Sequence, residues 1–163
     1  MKKILFVCSG NTCRSPLAEA IAKNILPGRL DFRVDIASAG ASALEGSPAS
    51  QYSIEVGQAH ALDLSTHRAR LLTPALIRGA DLVVTMGARH REMVGTLDPD
   101  TLDYAFLLTN FSDHHFGDIP DPIGGGLETY ERTYQLIRDC VESMASRLSR
   151  FDGWKSPSAG GAS

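Results

Sequence analysis

The chain has 163 residues, a formal net charge of -3 and a hydrophobic content of 43%, which suits one soluble globular domain. This charge balance gives no sign of the concentrated basic face that nucleic acid or an anionic membrane needs, so neither is an expected partner. No apolar stretch approaches the roughly 20 residues of a membrane span, and the run after Lys2-Lys3 is too short for a signal peptide, so a cytoplasmic location is expected. Three cysteines make no disulfide framework and agree with a reducing compartment.

The predicted elements alternate between strand and helix along the chain. The apolar run at residues 4–7 predicts a first strand, and Ser15 followed by Pro16 predicts the N-cap and first position of a helix. Pro27 and Gly28 end that unit. Apolar patterns predict further strands at 32–36, 81–86 and 105–108. Further helices are predicted at 49–62, after the Thr73-Pro74 cap, at 88–97, and from 127 to about 150.

This order predicts an α/β fold, a three-layer doubly wound domain with a four-stranded parallel sheet over residues 1–155. Ligands bind such sheets at the carboxyl ends of the strands, where Cys8, Ser38 and Met86 are expected to lie. The loop at residues 109–126 is too long for a simple connection and is expected to frame the site. Residues 156–163 are expected to form a disordered tail.

The segment from Cys8 to Ser15 follows the first strand and predicts a phosphate-binding loop. Backbone N–H groups and the positive end of the helix favour an anion there, and they also favour the thiolate form of Cys8. The thiolate is expected to attack phosphorus, while Arg14 is expected to bind two phosphate oxygens in a bidentate fork. Gly10 is expected to adopt a positive φ, and Asn11 to lock the turn through side-chain hydrogen bonds. Ser15 is expected to cap the helix, or to cap it and also donate to Cys8.

Phosphoryl transfer to sulfur needs an acid for the leaving group and then a base for water, and one carboxylate can serve both steps. Asp118 and Asp121 both lie in the long loop, and spacing alone does not choose between them.

The remaining positions of the phosphate-binding loop share small or polar side chains: Ser9, Gly10, Asn11, Thr12, Cys13, Arg14 and Ser15.

These features resemble the low-molecular-weight protein tyrosine phosphatases over most of residues 1–150. The family signature is a cysteine and an arginine separated by five residues, which Cys8 and Arg14 match. Residues 38–40 (Ser-Ala-Gly), residues 65–70 (Ser-Thr-His-Arg-Ala-Arg) and Asp121-Pro122 follow in the family's order. The resemblance implies a two-step phosphatase with a phosphocysteine intermediate, without metal or cofactor, acting on phosphorylated proteins. A monomer is the expected form.

The resemblance also assigns roles outside the loop. It carries the acid and base role to Asp121, because the family has an Asp-Pro pair at this place. It implies that Ser38 and His67 support the phosphate-binding loop from behind by hydrogen bonds.

Two positions resemble the protein arginine phosphatases within the family. Thr12 stands where tyrosine-specific members usually carry a bulky aliphatic residue, and Asp121-Pro122 is followed by Ile123 and three glycines instead of aromatic residues. A threonine hydroxyl can hydrogen-bond a phosphoguanidinium or the attacking water, and a glycine-rich wall offers no ring for stacking. Phosphoarginine is therefore the favoured substrate, with a protein tyrosine phosphatase as the alternative.

Oxidation and metal binding are two further hypotheses. Cys13 lies on the same loop as Cys8, so a reversible Cys8–Cys13 disulfide is one interpretation, and a loop-packing role for Cys13 is the other. Cys140 is expected in the core. The His114-His115 pair lacks the spacing of a known ligand set, so no metal site is expected there.

Two other function classes share the loop. A thioredoxin-linked arsenate reductase needs further cysteines to relay a disulfide, and none lies between Cys13 and Cys140. A phosphate-binding module without catalysis has no need of the acid, whereas Asp121 is present. Both classes are therefore disfavoured.

Overall fold

The computed structural model describes residues 1–114 and 117–155. His115 and the tail predicted at 156–163 lie outside the described residues. The strands and helices are, in chain order, β1 (Lys2–Cys8), α1 (Arg14–Ile25), β2 (Val34–Gly40), α2 (Gln51–Ala59), α3 (Pro74–Arg78), β3 (Leu82–Thr85), α4 (Ala88–Leu97), β4 (Ala105–Leu107) and α5 (Leu127–Leu148). Short 3-10 helices occupy Leu26–Gly28, Pro99–Tyr104 and Leu108–Phe111.

The four strands form one parallel sheet in the order β2-β1-β3-β4. β1 lies inside the sheet and pairs with β2 from Lys2 opposite Val34 to Cys8 opposite Gly40. The strands therefore end together, and the loops that follow β1, β2 and β3 meet at one edge. The predicted doubly wound α/β fold is confirmed.

Alternate side chains of β1 enter two separate cores, because successive residues of a strand face opposite sides of a sheet. Ile4 and Phe6 belong to a cluster with residues of α1 and α5, whereas Leu5 and Val7 belong to a cluster with residues of α3 and α4. All four side chains are almost fully buried, and each contributes about 1.5–3 kcal/mol to stability. This continuous apolar strand holds the start of the phosphate-binding loop rigidly in place.

The second strand lies later in the chain than predicted. β2 covers Val34–Gly40, so residues 38–40 are part of the strand and do not follow it. Phe32 lies outside the sheet and packs edge-on against Trp154, with 5.9 Å between ring centroids. Phe32 and Trp154 are far apart in the sequence, so the alternating pattern around Phe32 could not predict this contact.

Helix boundaries agree better where a local capping residue sets them. Thr73 caps α3 as predicted and accepts a hydrogen bond from Leu76 N at 3.2 Å. Ser50 caps α2 and accepts from Ser53 N, which places the start of this helix within two residues of the predicted one. The helix ends at Ala59, three residues before the predicted end, where the sequence predicts no cap. Among the described residues, none of the helices combines the length and apolar character that a membrane crossing requires.

Candidate active site

The phosphate-binding loop runs from the end of β1 at Cys8 into α1. Helix α1 begins at Arg14, and its N-cap is Cys13. The prediction of Ser15 as the N-cap is therefore wrong: Ser15 is already helical, and its hydroxyl is used inside the loop. No acidic side chain lies in the first turn of α1, so the positive end of the helix is available to an anion.

The curled backbone of the loop leaves several N–H groups available. Within the described residues, none of the N–H groups from Gly10 to Cys13 donates to a protein acceptor. The residue with positive φ is Asn11 (55°), and Gly10 has no φ in the left-handed region, so the prediction for Gly10 is wrong. Asparagine tolerates this conformation because its short polar side chain forms local hydrogen bonds.

A chain of hydrogen bonds leads from Asn11 to the sulfur of Cys8. Asn11 Nδ2 donates to Ser15 Oγ at 2.8 Å, and Ser15 Oγ lies 2.9 Å from Cys8 Sγ. Because Ser15 already accepts from Asn11, its own proton is free to point at the sulfur. All three side chains are buried, so the hydroxyl can stabilise a negative charge on Cys8.

A second network supports the loop from behind. Asn11 Nδ2 also donates to Ser38 Oγ at 2.9 Å, and Ser38 in turn donates to Glu19 Oε1 at 2.7 Å. Asn11 Oδ1 accepts from the backbone N of Arg70 at 2.9 Å. The Nε2 atom of His67 lies 2.7 Å from the carbonyl oxygen of Asn11. Ser38 and His67 thus contact the loop at the positions expected of them.

Arg14 faces the long loop that precedes α5. Arg14 is 6% exposed. Its guanidinium donates from Nη1 to Ile119 O at 2.9 Å and lies 3.4 Å from Asp121 Oδ2 through Nη2. Asp118, by contrast, accepts a hydrogen bond from Ala88 N at 3.0 Å, at the start of α4. Of the two carboxylates that the sequence left open, Asp121 is beside the arginine and Asp118 holds a helix end.

An open cavity of about 530 Å³ lies beside the loop. Polar and apolar side chains both line it, and among the described residues the lining contains no Phe, Tyr or Trp. The lining residues are Ser9, Arg14, Ala41, Ser42, Arg89, His90, Met93, Asp118, Ile119, Pro120 and Asp121. The cavity therefore brings together the arginine and the carboxylate that the sequence singled out, with one wall supplied by α4.

Thr12 and Cys13 occupy different surroundings from the cavity. Thr12 is half-buried and is absent from the described lining, and its hydroxyl lies 3.7 Å from Cys13 Sγ. Cys13 Sγ lies 3.3 Å from Ser50 Oγ and 3.6 Å from the hydroxyl of Tyr130. Cys8 and Cys13 are both free thiols. Cys140 is a core residue as predicted, and burial raises its pKa to about 11.

Of the described residues that line the cavity, none is His114. Asp113, next to His114, forms an ion pair with Arg147 on α5. Within residues 1–114 and 117–155, no group of three His, Cys, Asp or Glu side chains is arranged to hold a metal ion.

Comparison with known proteins identifies the family of the chain. Residues 3–152 match the family described as low molecular weight phosphotyrosine protein phosphatase. The chain belongs to this family. It is therefore a cysteine-dependent protein phosphatase, and the family resemblance of its sequence is confirmed.

The relatives of this phosphatase include proteins named as tyrosine phosphatases and proteins named as arginine phosphatases. It is 35% identical to the probable low molecular weight protein-tyrosine-phosphatase EpsP of Ralstonia solanacearum, over 91% of this chain and 97% of the relative. It is 37% identical to the protein-arginine-phosphatase of Geobacillus stearothermophilus, over 90% of this chain and 95% of that protein. The structure resembles that of a YwlE arginine phosphatase variant with a phosphorylated active-site serine in place of cysteine (TM-score 0.85, 31% identity, 92% and 97% of the two chains).

Three polar residues of this phosphatase site were missed by sequence reasoning. Glu19 and Arg70 complete the support of Ser38 and Asn11, and His90 lies 2.8 Å from Ser9 Oγ through its Nε2 atom. Glu19 is four residues beyond Ser15 on α1, so helical spacing offered a weak signal. His90 is 81 positions from Ser9, and no local pattern signals that contact.

Proposed function

We propose that this phosphatase removes the phosphoryl group from phosphoarginine side chains of proteins, with Cys8 as nucleophile, Arg14 as phosphate ligand and Asp121 as acid and base. The donor chain from Asn11 through Ser15 to the sulfur supports the role of Cys8 as a thiolate nucleophile. The buried guanidinium of Arg14 and the N–H groups of Gly10–Cys13 supply the positive charge that a transferring phosphoryl group needs.

The proposed reaction has two steps. The Cys8 thiolate forms a bond to phosphorus while the bond from phosphorus to the guanidinium nitrogen breaks, and Asp121 gives its proton to that nitrogen. Asp121, now ionised, takes a proton from water, which attacks the phosphocysteine and releases inorganic phosphate and the thiolate. The 3.4 Å approach of Asp121 to Arg14 supports this role, because it brings the carboxylate to the phosphate-binding group.

The composition of the cavity lining supports phosphoarginine over phosphotyrosine as the substrate. A phosphotyrosine ring gains stability from stacking on an aromatic wall, and the described lining has no Phe, Tyr or Trp. A phosphoguanidinium needs hydrogen-bond partners, which the hydroxyls of Ser9 and Ser42 and the carbonyl oxygen of the Asp121 carboxyl group offer. The match to the protein-arginine-phosphatase of Geobacillus stearothermophilus supports the same choice.

Three further parts of the proposal concern how the enzyme works. Thr12 favours phosphoarginine through its hydroxyl, because an aliphatic side chain would leave polar groups near the phosphate unpaired. The enzyme acts as a monomer in the cytoplasm on phosphorylated proteins. It needs no metal, because Arg14 and the loop amides neutralise the phosphoryl charge.

The test is phosphate release from two peptides of matched sequence, one with phosphoarginine and one with phosphotyrosine, in the presence of chelator and reductant. We expect a higher kcat/KM for the phosphoarginine peptide and no activity of Cys8→Ser on either peptide. Thr12→Ile is expected to lower the ratio of the two kcat/KM values in favour of phosphotyrosine by about 10-fold or more.

Each result decides a separate part of the proposal. A wild-type preference for phosphotyrosine contradicts the substrate and leaves the two-step chemistry standing, since the tyrosine phosphatases of the family are the alternative. An unchanged ratio in Thr12→Ile contradicts the role of Thr12 alone. Loss of activity with chelator contradicts the metal-free mechanism.

A further inference from the structure

A buried histidine reaches across the cavity to the residue that follows the nucleophile. Ser9 comes directly after Cys8, and His90 stands in the first turn of α4. The Oγ atom of Ser9 lies 2.8 Å from Nε2 of His90. Both residues line the cavity that Arg14 and Asp121 share, and His90 is only 7% exposed.

The charge of this histidine is fixed by its surroundings. Burial, and then the positive charge of Arg14, lower the pKa of His90 to about 4. The imidazole is therefore neutral at pH 7 and carries one N–H. Within residues 1–114 and 117–155, its buried Nδ1 atom has no hydrogen-bond partner.

The missing partner of Nδ1 decides where the proton sits. A buried N–H group without an acceptor is rarer in proteins than a buried acceptor without a donor. We therefore assign the proton to Nε2, which donates to Ser9 Oγ. The Ser9 hydroxyl then keeps its own proton and one lone pair, and both are available on the cavity side.

We propose that Ser9 binds the leaving group of the substrate and that His90 is the positioning residue that orients the Ser9 hydroxyl. The remaining lone pair of Ser9 accepts from an N–H of the phosphoguanidinium, and its proton is donated to a phosphoryl oxygen. The ring of phosphotyrosine has no N–H to offer, so the pair favours phosphoarginine. This inference rests on the proposed function for the identity of the leaving group.

Three variants separate this role from a purely structural one. Ser9→Ala removes the hydroxyl. His90→Phe keeps a ring of similar size, removes the donor to Ser9 and costs no existing hydrogen bond at Nδ1. His90→Gln is the matched control, because its terminal amide nitrogen can take the place of Nε2 and donate to Ser9. Thermal unfolding of each variant verifies that the site is folded under the assay conditions.

The readout is the ratio of kcat/KM for the phosphoarginine peptide to kcat/KM for the phosphotyrosine peptide, relative to the same ratio in the wild type. We expect the ratio to fall about 10-fold in Ser9→Ala and in His90→Phe, as for the loss of one good hydrogen bond. The double variant Ser9→Ala/His90→Phe should fall no further than either single variant, because one hydrogen bond links the two residues. His90→Gln should recover most of the ratio.

Two results overturn the inference. One is an unchanged ratio in Ser9→Ala, which means that the hydroxyl does not distinguish the leaving groups. The other is an additive fall of about 100-fold in the double variant, which means that His90 does not act through Ser9. A wild-type preference for phosphotyrosine overturns only the proposed function, because the change of the ratio on substitution still tests the pair.

Discussion

Replacement of Asn11 by alanine should destabilise the protein and disable the loop together. The substitution removes two hydrogen bonds from Nδ2, to Ser15 and Ser38, and one to Oδ1 from the backbone N of Arg70. At about 1 kcal/mol each, their loss costs about 3 kcal/mol of unfolding free energy. Alanine at a φ of 55° adds about 1 kcal/mol. The expected total for Asn11→Ala is about 4 kcal/mol, a large part of the roughly 5–15 kcal/mol unfolding free energy of a typical folded domain.

Denaturant unfolding measures the stability change, and two companion variants divide it. Asn11→Gly loses the same hydrogen bonds without the backbone strain, so it should be about 1 kcal/mol more stable than Asn11→Ala. Asn11→Asp keeps the acceptor for Arg70 and loses both donors. The new carboxylate in this variant can also accept the Ser15 hydroxyl proton in place of Cys8 Sγ. The thiolate then loses its donor, so activity should fall further than the loss of stability alone would cause.

The same variants are assayed with p-nitrophenyl phosphate, which needs no choice of peptide. We expect kcat/KM of Asn11→Ala to fall at least about 100-fold, because small displacements of catalytic groups have effects of this size. A stability loss below about 1 kcal/mol would refute the role of the Asn11 network in folding. An intact kcat/KM with the expected stability loss would refute its coupling to Cys8.

Two further predictions test the acid and the second cysteine. Asp121→Asn should lower kcat for the phosphoarginine peptide by about 100-fold or more. With p-nitrophenyl phosphate, whose leaving group needs little protonation, it should give a burst of nitrophenol followed by slow turnover. An equal loss of activity on both substrates without a burst contradicts the acid and base assignment. Peroxide treatment should yield a Cys8–Cys13 disulfide, detected by peptide mass spectrometry and reversed by thiol, whereas irreversible sulfonic acid at Cys8 with Cys13 untouched contradicts the redox hypothesis.

Local chemistry explains why much of the site could be predicted from the sequence. Cys8, Arg14 and the loop between them lie within one strand-loop-helix segment, so their proximity follows from chain connectivity. The strand that precedes them is continuously apolar because both faces of a parallel sheet are covered. The alternation of strands and helices then brings the loop to the carboxyl edge of the sheet.

Errors arose even within the loop, where hydrogen bonds compete with local preference. Ser15 has the chemistry of an N-cap, but its hydroxyl is held between Asn11 and Cys8, and the helix begins at Arg14, two residues before the predicted first position at Pro16. Glycine is the residue most tolerant of positive φ, but Asn11 takes that conformation and not Gly10. Its contacts to Ser38 and to the backbone N of Arg70 stabilise it there.

The sequence by itself determined the reaction class, because a cysteine, an arginine and a helix start in fixed order suffice to hold and attack a phosphoryl group. Only the tertiary structure decided which groups surround that chemistry. It brings Asp121 beside Arg14, whereas Asp118 accepts a hydrogen bond from Ala88 N at the start of α4. It also sets His90 against Ser9, 81 residues away. Such contacts depend on how the helices pack on the sheet, and no spacing along the chain encodes them.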